Sequence, residues 1–277
     1  MWFTKNAKIF TILSIICMGS SFFTSNRVVT KNVKYNNNKI NIYTKSDCEL
    51  SDTPALLFFT GLNSVVPNNI YDDLLRIITK QNITCYVGSN NMETNEELID
   101  DILSSHTNLT VAGHSSGCIT CCNSVSKNSE VTSIVLLDPV DNSFLSNEQS
   151  KPNLNQIEDI LVINAKRSYE WDWVDLLPKL PFIPAFKMTS DSLKLKSPKV
   201  TLLDADNFGH TDILNRPWTD IMHNSVSRGT TDRSYKNLKQ YKTWIASAIY
   251  SFIHKNNTYP VLSDNTESSS MRESKLW

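Results

Sequence analysis

Apolar residues along this chain recur in two rhythms, and the switching between them predicts strands interleaved with helices. The run Ala55-Leu56-Leu57-Phe58-Phe59 is continuously apolar, as a strand buried on both faces is. Ile70, Leu74, Leu75 and Ile78 then repeat at helical spacing, and residues 83–87 form the next strand-like run. Asn95 is expected to cap a helix whose stripe is Leu98, Ile99, Ile102 and Leu103. It leads into a strand at 109–112 and a helical stretch at 117–126. Further strands are expected at 133–137, 159–163 and 199–203, and an amphipathic helix at 244–253. Strands alternating with helices imply right-handed crossovers and an α/β, mostly parallel, doubly wound sheet. Ahead of them, residues 27–44 alternate around the asparagines at 36–38, which predicts an N-terminal antiparallel hairpin at a sheet edge.

Segments outside this rhythm suggest a division of the chain. In residues 1–25, Lys5 and Lys8 precede an apolar run, and no acidic residue occurs before Asp47. That run is shorter than the roughly 20 residues of a spanning helix, so it reads as a signal peptide in preference to an N-terminal anchor. Either directs the chain to the secretory pathway or a membrane, or serves as the first stage of delivery to an organelle such as a plastid. Residues 26–256 form a single α/β domain, with an apolar, lid-like insertion at about 168–196. Residues 257–277 are a polar tail expected to be disordered.

Composition narrows the function classes. A chain of 277 residues that is 40% hydrophobic can bury one large core. A net charge of -1 without a basic stripe argues against a nucleic-acid partner. The six cysteines form no disulfide framework. Cys118, Cys121 and Cys122 are expected to be small buried residues, without the histidine or carboxylate spacing of a metal site. A Cys48 to Cys85 bridge is compatible with an oxidising compartment. Asn82-Ile83-Thr84, Asn108-Leu109-Thr110 and Asn256-Asn257-Thr258 are glycosylation sequons.

The chemistry concentrates in Gly113-His114-Ser115-Ser116-Gly117, in a chain with only seven glycines. Between a strand and a helix, G-x-S-x-G makes a sharp turn that lifts the serine hydroxyl above the sheet, while the helix N-terminus favours developing negative charge. A serine nucleophile needs a base. Of the five histidines, His210 follows the last predicted strand, the position this chemistry uses in chain order serine, acid, histidine. The acid must sit at a strand's carboxyl end on the same rim. Asp138, Asp141, Glu170 and Asp172 all meet that condition, and the residues alone do not choose among them. The Ser116 amide and that of Leu62, in the turn Thr60-Gly61-Leu62-Asn63, are the candidate oxyanion-hole donors. His114, Trp171, Trp173, Leu176, Leu177 and Phe182 are expected to line an apolar substrate pocket.

Gly113-His114-Ser115-Ser116-Gly117, Leu137-Asp138-Pro139-Val140-Asp141 and Phe208-Gly209-His210-Thr211-Asp212-Ile213-Leu214, in this order, resemble the chlorophyllase family of α/β hydrolases. They resemble platelet-activating-factor acetylhydrolase-type lipases more distantly. The resemblance spans residues 39–254. It implies the α/β-hydrolase fold, Ser115 as nucleophile, His210 as base and Asp138, in the DPV segment, as the acid. It also implies ester hydrolysis without metal or organic cofactor, on a hydrophobic ester such as the phytyl ester of chlorophyll or a lipid, at a membrane surface. Two departures touch the pocket: Ser116-Gly117-Cys118 stands where the family has Arg-Gly-Gly, and Thr60-Gly61 where it has His-Gly. The alternatives are a lipase or phospholipid esterase, and a catalytically silent pigment- or lipid-binding module.

Overall fold

The structure is a computed structural model that describes residues 27–35, 38–49, 51, 53–61, 68–89, 91–139, 154, 156–169, 199–222 and 229–262. Strands β1 (Val28–Tyr35) and β2 (Asn38–Lys45) form the expected antiparallel hairpin. After β3 (Ala55–Phe59) come α1 (Asp72–Thr79), β4 (Thr84–Val87), α2 (Met92–Ser105), β5 (Leu109–His114) and α3 (Gly117–Ser126). The chain continues through β6 (Ser133–Leu137), β7 (Asp159–Ala165), β8 (Lys199–Ala205), α4 (Trp218–Met222) and α5 (Tyr235–Ile253). They assemble into one eight-stranded sheet of order β1-β2-β4-β3-β5-β6-β7-β8. From β4 to β8 every pairing is parallel, and the hairpin joins by β2 running antiparallel to β4.

The continuous apolar runs are explained by two cores, one on each face. Alternate side chains of a strand point opposite ways. Leu56 and Phe58 of β3 face a core with Leu74, Leu75 and Ile78 of α1 and Ile245 and Ile249 of α5. Ala55, Leu57 and Phe59 face the other, with Ile99 and Ile102 of α2 and Cys118, Cys121 and Cys122 of α3. All five β3 side chains are inaccessible to solvent, and each large one contributes about 1.5–3 kcal/mol of transfer free energy.

Several local expectations are corrected. Helix α2 starts at Met92 and is capped by Asn91, whose side chain accepts from the Thr94 amide. Asn95 lies inside the first turn, fully buried, and bonds both the amide and the carbonyl of Ser89. It braces the β4–α2 loop instead of capping the helix. Helix α5 begins at Tyr235, nine residues earlier than the apolar stripe suggested, because Ser234 caps it through the Asn237 amide. Cys48 and Cys85 carry free thiols. Among the described residues no group of histidine, cysteine or acidic side chains could hold a metal ion, and no helix is long and apolar enough to cross a membrane. The N-terminal segment to residue 25, the insertion at 168–196 from residue 170 on and the tail at 257–277 from residue 263 on lie outside the described residues. The start of that tail, expected to be disordered, instead packs on α5: Trp244 donates to the Pro260 carbonyl and Leu262 is buried.

Candidate active site

Strand β3 lies between β4 and β5, so the chain leaves it to one side and later returns on the other. Crevices form at the carboxyl ends of strands where the winding reverses in this way. The Gly61 turn follows β3 and Ser115 follows β5, on the two banks of that crevice.

Ser115 is held in a left-handed backbone conformation, φ 57°, which is costly for a residue with a side chain. Its amide donates to the Leu137 carbonyl at 3.1 Å, locking the turn to β6. The flanking glycines serve close approach, since the positive φ falls on the serine itself. A Cβ on Gly113 would lie 2.5 Å from the Gly117 carbonyl oxygen, and one on Gly117 would lie 2.4 Å from that of Phe59. Only hydrogen fits at either position, and α3 is thereby seated directly against β3 and β5. Ser116 occupies the cap position of α3 and is buried.

Three side chains meet at the carboxyl rim. His210 Nε2 lies 2.8 Å from Ser115 Oγ, and His210 Nδ1 lies 2.6 Å from Asp138 Oδ2. All three are nearly buried, with 8% of Ser115 exposed and 5% of each of the others, so their interactions are little screened by water. Asp138 directly follows β6, in a left-handed conformation of φ 41°. Its Oδ1 accepts the Ala165 amide at 3.1 Å, and its Oδ2 accepts the Ser168 hydroxyl at 2.6 Å as well as the imidazole. The carboxylate is thus fixed from the end of β7, the adjacent strand, and from the turn at Lys166–Tyr169 that follows it. With Asp138 accepting at Nδ1, the proton of a neutral His210 sits there, and Nε2 presents a lone pair to the Ser115 hydroxyl. This arrangement can take a proton from Oγ as the oxygen attacks and stabilise the imidazolium that results.

The loop carrying His210 is braced from below. Phe208 stacks on Tyr241 of α5 with ring centroids 4.1 Å apart, and its carbonyl accepts the Arg167 amide. Asp212 is fully buried, and its Oδ2 accepts the amides of Gly209 at 2.8 Å and Thr230 at 2.6 Å. Burial raises the Asp212 carboxyl to about 6, against the opposing pull of those amides and of Arg167 and Arg233. A carboxyl raised in the folded state contributes stability that is present below its unfolded value, near 3.8, and is lost as pH rises through 6. Asp212→Asn removes that ionisation. Urea unfolding of both proteins is expected to show wild type losing about 2 kcal/mol more than the variant between pH 4 and pH 7. Equal losses would contradict it.

His114 is buried beneath Ser115 instead of standing on an open pocket wall. Its Nδ1 lies 2.7 Å from the Tyr71 hydroxyl and its Nε2 lies 3.1 Å from the His210 carbonyl oxygen. Leu62 and the pocket candidates Trp171, Trp173, Leu176, Leu177 and Phe182 lie outside the described residues, as do Asp141, Glu170 and Asp172. Ser168, Asp212 and Tyr71 escaped the sequence reading. Asp212 lay within the histidine segment and was the one with a signal, an acidic residue two positions past His210. A cavity of about 570 Å³ lined by Lys45, Lys80, Asn82 and His254 lies by the amino ends of β3 and β4, at the pole away from Ser115.

No protein-family model matches the chain, and no curated protein matches it in sequence. Solved structures do share its path. A hyperthermophilic esterase from the archaeon Pyrobaculum calidifontis is similar at 13% identity, over 90% of this chain and 92% of that one, with a TM-score of 0.52. A thermostable esterase from Pseudomonas putida gives 12%, 89%, 90% and 0.52 for the same quantities. One of two Rhizomucor miehei esterases gives 14%, 83%, 86% and 0.53. At such identities the likeness establishes architecture: the molecule has the α/β-hydrolase fold.

Proposed function

We propose that the protein is a serine hydrolase of carboxylic esters, with Ser115 as nucleophile, His210 as general base and then general acid, and Asp138 as the carboxylate that orients it. The observation carrying this reading is the pair of contacts on one imidazole: Nε2 at 2.8 Å from Ser115 Oγ and Nδ1 at 2.6 Å from Asp138 Oδ2. Oγ attacks the ester carbonyl carbon while its proton moves to Nε2. The amides of Ser116 and Leu62 are the proposed donors to the oxyanion. Collapse of the tetrahedral intermediate expels the alcohol, which takes the proton from Nε2 and leaves an acyl group on Ser115. Water, deprotonated by the same nitrogen, releases the acid and restores the serine.

The substrate we propose is a hydrophobic ester, first the phytyl ester of chlorophyll, cleaved to chlorophyllide and phytol. Its support is that the carboxylate against His210 belongs to the Leu137-Asp138-Pro139-Val140 segment, where the chlorophyllase resemblance puts the acid. Purified chain is incubated with a fluorophosphonate probe and with detergent-dispersed chlorophyll, phosphatidylcholine and triglyceride. Labelling that disappears in Ser115→Ala, with chlorophyllide release above that of the lipids, is expected. Absent labelling of the folded protein overturns the hydrolase, and faster lipid cleavage overturns the pigment substrate alone.

A further inference from the structure

A buried polar chain passes underneath the nucleophile that the proposed reaction does not use. The Gly61 amide lies 3.1 Å from the Tyr71 hydroxyl, that hydroxyl 2.7 Å from His114 Nδ1, and His114 Nε2 3.1 Å from the His210 carbonyl oxygen. Tyr71 is 1% exposed and His114 3%. We propose that Tyr71 and His114 are positioning residues that couple the Gly61 turn to the His210 loop across Ser115, setting the nucleophile, its base and the oxyanion turn in mutual register. This rests on the serine-hydrolase reading of the site.

The directions of the bonds are determined by elimination. A carbonyl oxygen only accepts, so Nε2 of His114 must carry the proton and donate to His210. Burial, and next to it the nearby His210, hold His114 well below its ordinary value, so the ring is neutral and Nδ1 is an acceptor. Tyr71 must therefore donate to Nδ1, and its oxygen is left to accept the Gly61 amide. Every bond in the chain has one direction, and none can be reversed without leaving a buried polar atom unpaired.

The geometry explains why the coupling bears on chemistry. A Cβ built on Gly61 would lie 3.1 Å from Ser115 Cβ, 3.2 Å from the Tyr71 oxygen and 3.5 Å from His114 Nδ1. A side chain on Gly61 would thus crowd the nucleophile's own side chain, and the polar chain runs just behind that close approach. At its other end it holds the main chain of His210 itself. The His114 and His210 rings stand 4.7 Å apart, so a proton on His114 would oppose the imidazolium that His210 must become. A neutral donor and acceptor meets the requirement, and a lysine or arginine there would not.

The test uses the full chain with p-nitrophenyl butyrate and a fluorophosphonate probe. Tyr71→Phe removes one oxygen, and kcat and the labelling rate are expected to fall about 10- to 100-fold with KM within about twofold. His114→Leu is expected to fall comparably. His114→Gln, which offers an acceptor and a donor in place of the two ring nitrogens, is expected to recover most of the loss. The double variant Tyr71→Phe with His114→Leu should be no slower than the slower single variant, since both cut one connection. Wild-type labelling by Tyr71→Phe at the wild-type rate overturns the coupling while leaving the nucleophile intact. Equal rates for His114→Leu and His114→Gln, or losses that multiply in the double variant, overturn it also. Absence of labelling in the wild type would instead overturn the reading of Ser115.

Discussion

Ser115→Ala is expected to lower kcat for p-nitrophenyl esters by about 10⁴- to 10⁶-fold and to abolish fluorophosphonate labelling, while the folded structure persists. The expectation follows from the single hydroxyl held 2.8 Å from His210 Nε2. A second variant at the same position separates chemistry from strain. The residue sits at φ 57°, a conformation that glycine adopts freely and alanine does not. Ser115→Gly should therefore be as inactive as Ser115→Ala yet more resistant to urea, by about 1 kcal/mol. Comparable activity in wild type and Ser115→Ala would remove this serine from the reaction. Equal stabilities of the alanine and glycine variants would show that the turn carries no strain.

Asp138→Asn is the second large effect, an expected fall in kcat of about 10³- to 10⁴-fold with little change in KM. Three donors converge on the native carboxylate, from Ala165, Ser168 and His210. An asparagine has one acceptor oxygen, so its NH2 group must face at least one of them. If it faces His210, the imidazole turns over to the tautomer with its proton on Nε2, which presents N–H to Ser115 and can no longer receive its proton. Steady-state rates at neutral pH decide the matter. A loss under about tenfold would mean that the charge of Asp138 is not needed, either because the amide oxygen still accepts from Nδ1 or because another carboxylate serves, with Asp141, Glu170 and Asp172 the ones to vary next.

Those carboxylates show what a sequence can and cannot carry. The sheet was legible because its strands are buried on both faces: a run such as Ala55 to Phe59 has no polar member, and turn or helix signals separate each run from the next. The N-terminal hairpin was legible for the opposite reason, alternation around a cluster of asparagines. Ser115 and His210 stood out because local pattern and chain order constrain them together. By position alone the acid did not, since several acidic residues follow strand ends; the chlorophyllase resemblance of the DPV segment implied Asp138, and it is Asp138 that lies against the imidazole seventy-two positions away. What brings Asp138 there is its own left-handed backbone and the donors of Ala165 and Ser168, none of which leaves a mark on the order of residues.

Local misreadings have similar causes. Asn91 and Asn95 are both good helix caps by type, and the choice between them was made by Ser89, whose backbone Asn95 satisfies from inside the helix. Tyr71 carried no signal at all beyond its place near a helical stripe. Its hydroxyl matters because Gly61 and His114, far apart along the chain, both end beside it.

The thiols packed behind Ser115 have a practical corollary. Cys118 shares its hydrogen with the Gly113 carbonyl at 3.2 Å and Cys121 with that of Val111 at 3.6 Å, and burial drives both far from ionisation. Because only the thiolate is alkylated readily, maleimides or iodoacetamide will bypass these sulfurs in the native molecule and reach them once it opens. Sulfur-directed reagents therefore gauge how much of a sample is folded, independently of whether it turns over ester, with Cys48 as the partly accessible reference among the described cysteines.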